Sequence, residues 1–431
     1  MNGTRNLLNL RDTLDDVDLK KFKPITNDLL RQLGMKDLTL RYVESLDELR
    51  KDPPNIVIAE CVSNVAFEQS KLKEQQLKKR VKYVMALGIY QQLHYIYNKR
   101  ILKPSGMKFK NLYRPYMGQN LDDKLLLVTR TGGVGDLLFI QPNLVYLKEK
   151  FPTCTIKFAC GPQYQAMIET WDCIDEILDL PFTVKQLINS DYHAIFEGVI
   201  ERCNEAKTSN AYNLFSKWLE LDLPDEKLRP KQRPKEEKVE ECLEILKEWS
   251  LENKPFIVIQ IRASSPVRTP RPSFWINLID KLTNRDFNIL ITDSPHQSEN
   301  IEKFISELDN KHLVFNFCEH SKSIDYTIAI TSLSKLAIST DSALIHIAQS
   351  VGIPIFGIYG PFPAFVRLKT YENVDWVEGK LDCSPCFIHG QRPCPKSRGD
   401  YSPCYDTIDL YETVEKIGRL IDDQDNDDNK E

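Results

Sequence analysis

Residues 124–140, which read KLLLVTRTGGVGDLLFI, decide how the chain folds. An apolar strand leads into a glycine-rich turn that ends in a carboxylate, and an amphipathic helix follows. Gly132, Gly133 and Gly135 allow a tight turn and a close approach to a ligand, because glycine has no Cβ. The start of the following helix directs free N–H groups and its positive dipole end into the same space, which suits a phosphate.

Asp136 closes this turn and is the candidate catalytic residue. A carboxylate there would repel a phosphate bound directly to the turn. We therefore expect it either to accept a proton from a substrate or to cap the helix, and the sequence leaves both roles open.

Two familiar glycine turns do not fit this stretch. A Walker A loop ends in Gly-Lys-Ser/Thr, whereas this turn ends in Gly135 and Asp136. A dinucleotide fingerprint requires a third glycine in the helix, where this chain has Leu138, and an acid after the next strand. That predicted strand, residues 155–159, is followed by Cys160 and a glycine. A kinase-like enzyme and an NAD-dependent enzyme are both disfavoured.

A second pattern lies about 200 residues later. Residues 335–339 predict a buried strand, Asp341 and Ser342 are suitable N-cap residues for a helix over 343–351, and His346 falls one turn into that helix. A further predicted strand, 355–358, follows. A capped helix after a strand makes an anion site at the carboxyl edge of a parallel sheet. The alternative is an ordinary capped helix with a buried histidine.

The two patterns together resemble the ADP-heptose:lipopolysaccharide heptosyltransferase family. The resemblance covers residues 123–420 and leaves the first 120 or so unexplained. In this family glycine usually follows the Asp-Thr/Ser pair, and this chain has Ala343 instead, which narrows the room for a phosphate or sugar. The matching elements, in order, are Arg130-x-Gly-x-x-Gly-Asp136, Pro142, Leu147-Lys-x-x-Phe-Pro152, Asp341-Ser-Ala-x-x-His346 and Gly357-x-x-Gly-Pro361.

The resemblance implies an α/β fold with two doubly wound, Rossmann-like domains that face a cleft, the GT-B arrangement. It implies an inverting glycosyltransferase in which Asp136 is the general base and a nucleotide-diphosphate sugar is the donor. An ADP-linked, heptose-like sugar enters only through the resemblance. The implied donor-binding residues include Asp341, Ser342, Ala343 and His346, with Asp341 and His346 organising the second pattern rather than doing chemistry.

A basic loop follows the first strand of the second half. Arg262, Arg268 and Arg271 cluster in the Pro/Ser-rich residues 261–275, and guanidinium groups pair well with diphosphate oxygens. Family members usually carry a lysine here, and Arg268 is its nearest counterpart, so Arg268 ranks ahead of Arg262 for donor binding. A solvated basic loop is the alternative. No catalytic metal is expected, since the helix dipole and the arginines supply positive charge.

Four of the 11 cysteines form a C-x2-C-x7-C-x9-C pattern in a segment with few apolar residues. Four thiolates on short loops make a closed site for structural iron or zinc, and His389 could replace one of them. A similar cluster holds iron in the autotransporter heptosyltransferases, which are the branch of the family that this chain resembles most. The predicted ligands are Cys383, Cys386, Cys394 and Cys404.

Residues 68–114 hold twelve Lys/Arg against two Glu, with Tyr83, Tyr90, Tyr95 and Tyr97 among them. A basic helix with aromatic residues can bind nucleic acid, and it can equally be the solvated face of a helix packed on the catalytic domain. The sequence therefore leaves the acceptor open. It is a protein or a glycan, or it is DNA if the protein is a viral-type DNA-modifying sugar transferase. A non-catalytic nucleotide-sugar or nucleic-acid binding module is the other alternative.

Composition, together with the positions of proline-broken and charged stretches, gives the predicted domain organisation. The formal net charge of −5 excludes a strongly basic, histone-like protein, and no apolar run is long enough to span a membrane, so we expect a cytoplasmic protein. The oligomeric state stays open. The predicted regions are an accessory, acceptor-binding segment (1–120), an acceptor domain (121–235) that ends in a charged, proline-broken linker, a nucleotide-sugar domain (236–420) and a disordered acidic tail (421–431).

Overall fold

A computed structural model gives the fold of residues 40–41, 56–59, 83–86, 114–179, 186, 189–196, 199–200, 203–387, 394–397 and 401–428. The chain divides into two compact units. Unit 1 comprises Met1–Gly132 and Leu144–Val199, and unit 2 comprises Gly133–Asn143 and Ile200–Glu431. The division by contacts therefore follows other boundaries than the regions expected from sequence, which remain a prediction about function.

Unit 1 is built on parallel strands. Three short ones pair in the order β1-β2-β3, and four others form a sheet in the order β6-β5-β4-β7. Four of the five residues of β4 are buried, as expected for a parallel strand that is covered on both faces. The strands are β1 (Leu40–Arg41), β2 (Ile56–Ala59), β3 (Tyr83–Ala86), β4 (Leu125–Thr129), β5 (Thr155–Cys160), β6 (Glu176–Asp179) and β7 (Tyr192–Ile195). The helices are α1 (Val134–Lys150) and α2 (Pro162–Ile168). The first part of α1 belongs to unit 2.

Unit 2 holds a six-stranded parallel sheet in the order β10-β9-β8-β11-β12-β13. Its strands are β8 (Phe256–Gln260), β9 (Asn288–Ile291), β10 (Val314–Asn316), β11 (Leu336–Ser339), β12 (Ile355–Tyr359) and β13 (Val374–Glu378). Its helices are α3 (Ala211–Trp218), α4 (Glu236–Glu248), α5 (Pro272–Thr283), α6 (Ser298–Ser306), α7 (Ile324–Ser332), α8 (Ala343–Ser350), α9 (Phe365–Leu368) and α10 (Leu410–Asp428).

The strand order of unit 2 reverses between β8 and β11. The chain runs from β8 to β9 and β10 on one side, then returns to place β11, β12 and β13 on the other. At such a point the loops that leave the carboxyl ends of the two neighbouring strands diverge, and a crevice forms where ligands bind in open α/β sheets. The fold therefore places the predicted second pattern, at the end of β11, beside a ligand crevice.

Buried aliphatic and aromatic side chains of β8, β9, β11 and β12 form the core of unit 2 together with α5 and α10. Trp275 and Phe356 are among its largest fully buried side chains. Cys404 and Tyr405 belong to the same core, so part of the cysteine-rich segment is built into the unit.

The strands and helices expected around both glycine-containing patterns are confirmed to within about two residues, and both sheets are parallel as predicted. The charged linker contacts the rest of unit 2: the Gln232 N–H donates to the Ser350 carbonyl at 2.7 Å, and the Arg229 side chain donates through Nε to the Thr370 carbonyl at 2.6 Å. Also, α10 continues to Asp428, where a disordered tail was expected, since buried Ile417 and Ile421 anchor the helix.

Gly379, directly after β13, tests this packing. A Cβ atom at this position would overlap the backbone carbonyl of Cys404, which cannot move as a flexible side chain could. We expect Gly379→Ala to lower the free energy of unfolding by about 1–3 kcal/mol, the usual cost of overpacking, measured by urea denaturation. Gly418→Ala in α10 is the matched control, because its Cβ would meet only Arg285 Nη1 at 3.6 Å. An equal effect of the two substitutions would contradict the packing described here.

Candidate functional site

The carboxyl ends of β8 and β11 are joined by hydroxyl groups. The Ser342 Oγ donates to the Gln260 Oε1 at 2.7 Å and lies 2.7 Å from the Ser339 Oγ. Ser342 occupies the N-cap position of α8, as predicted, yet its side chain makes no capping hydrogen bond. Ser342 and Ala343 are both partly exposed. The start of α8 therefore keeps N–H groups that its N-cap side chain does not satisfy, which is the property an anion site needs.

Asp341 lies beneath this helix start and is the centre of a buried charge cluster. Its carboxylate is 3.3 Å from the Arg268 Nη1 and 3.5 Å from the Arg367 Nε. All three side chains are more than nine-tenths buried. Two guanidinium groups against one carboxylate leave a formal surplus of one positive charge, which lies close to the positive end of the α8 dipole.

The two arginines predicted to bind the donor lie in different environments. The Arg268 guanidinium is committed to the protein, since it also donates to the Asp341 carbonyl at 2.5 Å and to the Ser264 Oγ at 2.8 Å. Arg262 is exposed and contacts the side chain of Gln297. Of the two, Arg262 is the more accessible to a ligand, although the family resemblance ranks Arg268 first.

His346 is enclosed by aromatic side chains in unit 2. Its Nδ1 lies 2.5 Å from the Tyr371 hydroxyl, which in turn lies 2.5 Å from the Tyr212 hydroxyl. The Phe139 ring meets the imidazole edge to face, with 4.7 Å between centroids. Burial lowers the pKa of His346 to about 3; the carboxylate of Asp341 raises it, and the positive charge of the two neighbouring guanidinium groups lowers it further. The imidazole is therefore neutral at physiological pH.

Gly135, in the first turn of α1, lies against the imidazole of His346. A Cβ atom at Gly135 would lie 2.5 Å from Cδ2 and 3.0 Å from Nε2 of His346, so only glycine allows the approach. Gly133 has φ +82°, the left-handed region that favours glycine. The Asp136 carboxylate folds back over it, because a Cβ there would lie 2.6 Å from Oδ2. The negative charge of the Asp136 carboxylate thus lies at the positive end of the α1 dipole, beside the glycine-rich turn.

Gly132 belongs to unit 1, where a Cβ would lie 3.2 Å from the Tyr164 hydroxyl. Arg130 fixes the end of β4, since its Nη1 donates to the Phe196 carbonyl at 2.9 Å and its Nε to the Gly132 carbonyl at 3.3 Å. The three glycines of the turn therefore serve different purposes.

The cysteine segment packs against the loop after β12. The Cys386 Sγ lies 3.8 Å from the Pro361 carbonyl, and a Cβ at Gly360 would lie 2.8 Å from the Cys404 Sγ. Burial raises the pKa of Cys404 to about 12, with further contributions from the nearby thiols of Cys386 and Cys394. Within the described residues, no group of three or more His, Cys, Asp or Glu side chains is arranged to hold a metal ion. His389 lies outside those residues.

Arg367, Tyr371 and Tyr212 complete the site and were not predicted. Arg367 also lies over the Phe362 ring, with 4.4 Å from the guanidinium carbon to the ring centroid. None of the three sits in a recognisable sequence pattern. The basic segment of residues 68–114, by contrast, lies outside the described part of the chain except for the backbone of β3 and for Arg114.

Parallel sheets, with a helix start at the point where the strand order reverses, define an α/β protein of the doubly wound class. Residues 201–394 match the family model described as glycosyltransferase family 9 (heptosyltransferase). The predicted resemblance to the heptosyltransferases and the predicted enzyme class, glycosyltransferase, are confirmed. The matched range contains the second pattern and the arginine loop, and the glycine turn lies outside it. No curated protein matches the chain.

Solved structures agree on the fold. The glycosyltransferase family 9 protein from Veillonella parvula aligns with a TM-score of 0.56 and 17% identity over 70% of this chain and 98% of its own. The E. coli ADP-heptose lps heptosyltransferase II aligns with a TM-score of 0.56 and 14% identity over 70% and 99%. The iron-containing dodecameric glycosyltransferase TibC from enterotoxigenic E. coli has 13% identity over 70% and 77%, with a TM-score of 0.49. Because that score is below 0.5, placement in the autotransporter branch stays a prediction.

In the described part of the chain, no helix has the length and apolar character needed to cross a membrane.

The buried neutral histidine makes stability depend on pH. Unfolded His346 binds a proton below about pH 6.5, whereas the folded protein resists protonation down to a pKa of about 3. The unfolded state binds more protons in this window, so stability falls as the pH falls. Between pH 7.5 and 5.5 the wild type should lose about 1 kcal/mol more unfolding free energy than His346→Gln, measured by urea denaturation. Equal losses in both proteins would contradict a buried neutral imidazole.

Proposed function

We propose that this protein is an inverting glycosyltransferase that moves a heptose-like sugar from an ADP-linked donor to a hydroxyl of a protein or glycan. The start of α8 carries the proposal, because it combines N–H groups that the Ser342 side chain does not cap, partial exposure and a surplus of buried positive charge. A diphosphate is the group of a nucleotide sugar that such a place attracts.

The reaction follows from these parts. The acceptor oxygen attacks the anomeric carbon from the face opposite the leaving group, and the bond from that carbon to the diphosphate oxygen breaks. The nucleoside diphosphate leaves with the electron pair, and the acceptor proton passes to the Asp136 carboxylate. Proton removal by a positioned base is worth about 10²–10⁴ in rate.

Charge develops on the departing diphosphate and must be stabilised. The N–H groups of α8 and the Ser342 hydroxyl are placed for this role, and exposed Arg262 supplies a mobile cation. Buried Arg268 acts through Asp341 instead, by holding the end of β11 and the helix start in place. Ala343 lines the same helix start, where its methyl group restricts the donor.

The donor and acceptor are proposed by similarity. The E. coli heptosyltransferase II that shares the fold is an ADP-heptose enzyme acting on lipopolysaccharide. The cysteine-rich segment favours the autotransporter heptosyltransferases, the branch whose acceptor is a protein. The proposal includes no oligomeric state. A nucleic-acid acceptor would require the basic segment of residues 68–114 as its binding surface.

Donor turnover tests the proposal. Purified protein is offered ADP-, UDP-, GDP- and CDP-sugars, each alone, with a serine-rich protein and with duplex DNA, and nucleotide release is measured. We expect ADP release that rises with the protein acceptor. Asp136→Asn should lower kcat by about 10²–10⁴ and leave the Kd of the donor within about twofold, because the substitution removes the proton acceptor and keeps the shape. Exposed Asp222→Asn is the control.

The outcomes separate the alternatives. Release that rises only with DNA would identify a DNA-modifying transferase. Donor binding without turnover in any combination would leave a non-catalytic binding module. Full activity of Asp136→Asn would remove Asp136 as the base and keep the enzyme class.

We also propose that Cys383, Cys386, Cys394 and Cys404 hold a structural iron or zinc ion. Sulfur ligands suit both metals, and the C-x2-C-x7-C-x9-C spacing, which puts four cysteines on short loops, supports the proposal. When bound, the metal would close the loops of this segment; no step of sugar transfer passes through it.

Metal content tests this site without any activity assay. We expect about one iron or zinc ion per wild-type chain by elemental analysis, with a thiolate-to-iron absorption band if the metal is iron. Cys386→Ser and Cys404→Ser should each lower the content severalfold. Cys242→Ser is the matched control, since Cys242 is buried in α4 and lies beside the Tyr326 carbonyl. Equal metal content in all four proteins would contradict the site.

A further inference from the structure

The first turn of α1 lies directly on His346, with no side chain between them. Gly135 supplies the contact, since its missing Cβ leaves room for the imidazole edge that carries Cδ2 and Nε2. Phe139, four residues later and therefore on the same face of the helix, meets the same imidazole at 4.7 Å between centroids. Two consecutive turns of α1 are thus seated on one histidine.

Two tyrosine hydroxyl groups hold the imidazole of His346 in place. The Tyr371 hydroxyl bonds its Nδ1, and the Tyr212 hydroxyl bonds that of Tyr371. The Tyr212 ring contacts the Phe139 ring edge to face, with 4.4 Å between centroids. Because Phe139 lies on α1, the series of contacts begins and ends on that helix. His346, Tyr371, Tyr212 and Phe139 therefore form a closed ring, which we call the aromatic ring of contacts. All four side chains are more than nine-tenths buried.

We propose that His346 is a positioning residue for Asp136: the aromatic ring of contacts fixes the first turn of α1 through Gly135, and so fixes the carboxylate one residue further along. The inference rests on the proposed role of Asp136 as the base. It also gives Gly135 a role that is separate from ligand approach, namely to let the helix lie against the imidazole.

The geometry explains why the contact matters for chemistry. Interiors are closely packed, and a methyl group inserted 2.5 Å from a ring carbon must push the helix or the ring away. A displacement of about 1 Å at a reacting group can cost about 10²-fold in rate. The three atoms nearest to a Cβ at Gly135 all belong to His346, one turn beyond the start of α8, so we expect donor affinity to change less than turnover.

A double-mutant cycle tests the contact. Gly135→Ala alone should lower kcat for transfer by about tenfold to 10²-fold and leave the donor KM within about threefold. His346→Ala removes the atoms that the new methyl group would strike. In that background the same Gly135→Ala change should cost less than threefold in kcat. The non-additivity is the expected result, because the two substitutions act on one contact.

Two further variants keep the test decisive if the cavity left by His346→Ala impairs folding. Tyr371→Phe keeps the ring and removes the hydroxyl that orients the imidazole, and it should lower kcat severalfold with little change in donor KM. Gly418→Ala on α10, where the new Cβ would make only an ordinary contact with the Arg285 Nη1 at 3.6 Å, should leave both unchanged. Unfolding midpoints are measured for every variant, so that loss of folded protein is separated from loss of turnover.

The inference is overturned if Gly135→Ala has the same effect on kcat in both backgrounds, or if kcat and donor KM change in parallel with the unfolding midpoint. Failure of the proposed function has a different signature, namely absence of turnover in the wild type or full activity of Asp136→Asn. The two failures are therefore distinguishable in one set of assays.

Discussion

The buried carboxylate of Asp341 is the constraint on which the site depends. It follows β11, and its two partners come from the segments after the neighbouring strands, Arg268 after β8 and Arg367, on α9, after β12. Removing a charge from water is costly unless it is paired and hydrogen-bonded. The three adjacent segments can therefore not separate without leaving an unpaired charge in the interior. One carboxylate thus holds together the carboxyl edge at the point where the strand order reverses.

The cluster also sets the electrostatics of the crevice. Its surplus positive charge is buried, so water screens it less than it screens a surface charge. The cysteine-rich segment supports the same region from another direction, because the Ser402 Oγ donates to the Val267 carbonyl at 2.8 Å and Arg271 pairs with Asp406. A structural metal in that segment would stabilise the loop that carries Arg268 without taking part in catalysis.

Local patterns in the sequence predicted the elements, and long-range contacts decided the site. The glycine turn, α8 and the flanking strands follow from apolar runs, glycine and capping residues that lie within one stretch of chain. Arg367, Tyr371 and Tyr212 act through partners 25 to 159 residues away, and no local pattern marks them. The contact of the linker is of the same kind, since proline and charge do not show that Gln232 bonds to Ser350. The rank of Arg268 came from resemblance, which does not report burial.

In the proposed reaction, the Asp136 carboxylate combines the role of the base with that of stabilising the start of α1. Folding back over Gly133 places its negative charge at the positive end of α1, which favours that charge and restricts the side chain. A base fixed in this way has less freedom to lose in the transition state. The same helix end that holds the carboxylate also favours its charged form, so it competes with the acceptor proton. In the proposed reaction we therefore expect rate acceleration to come mainly from stabilisation of the departing diphosphate by the charge cluster around Asp341 and the start of α8.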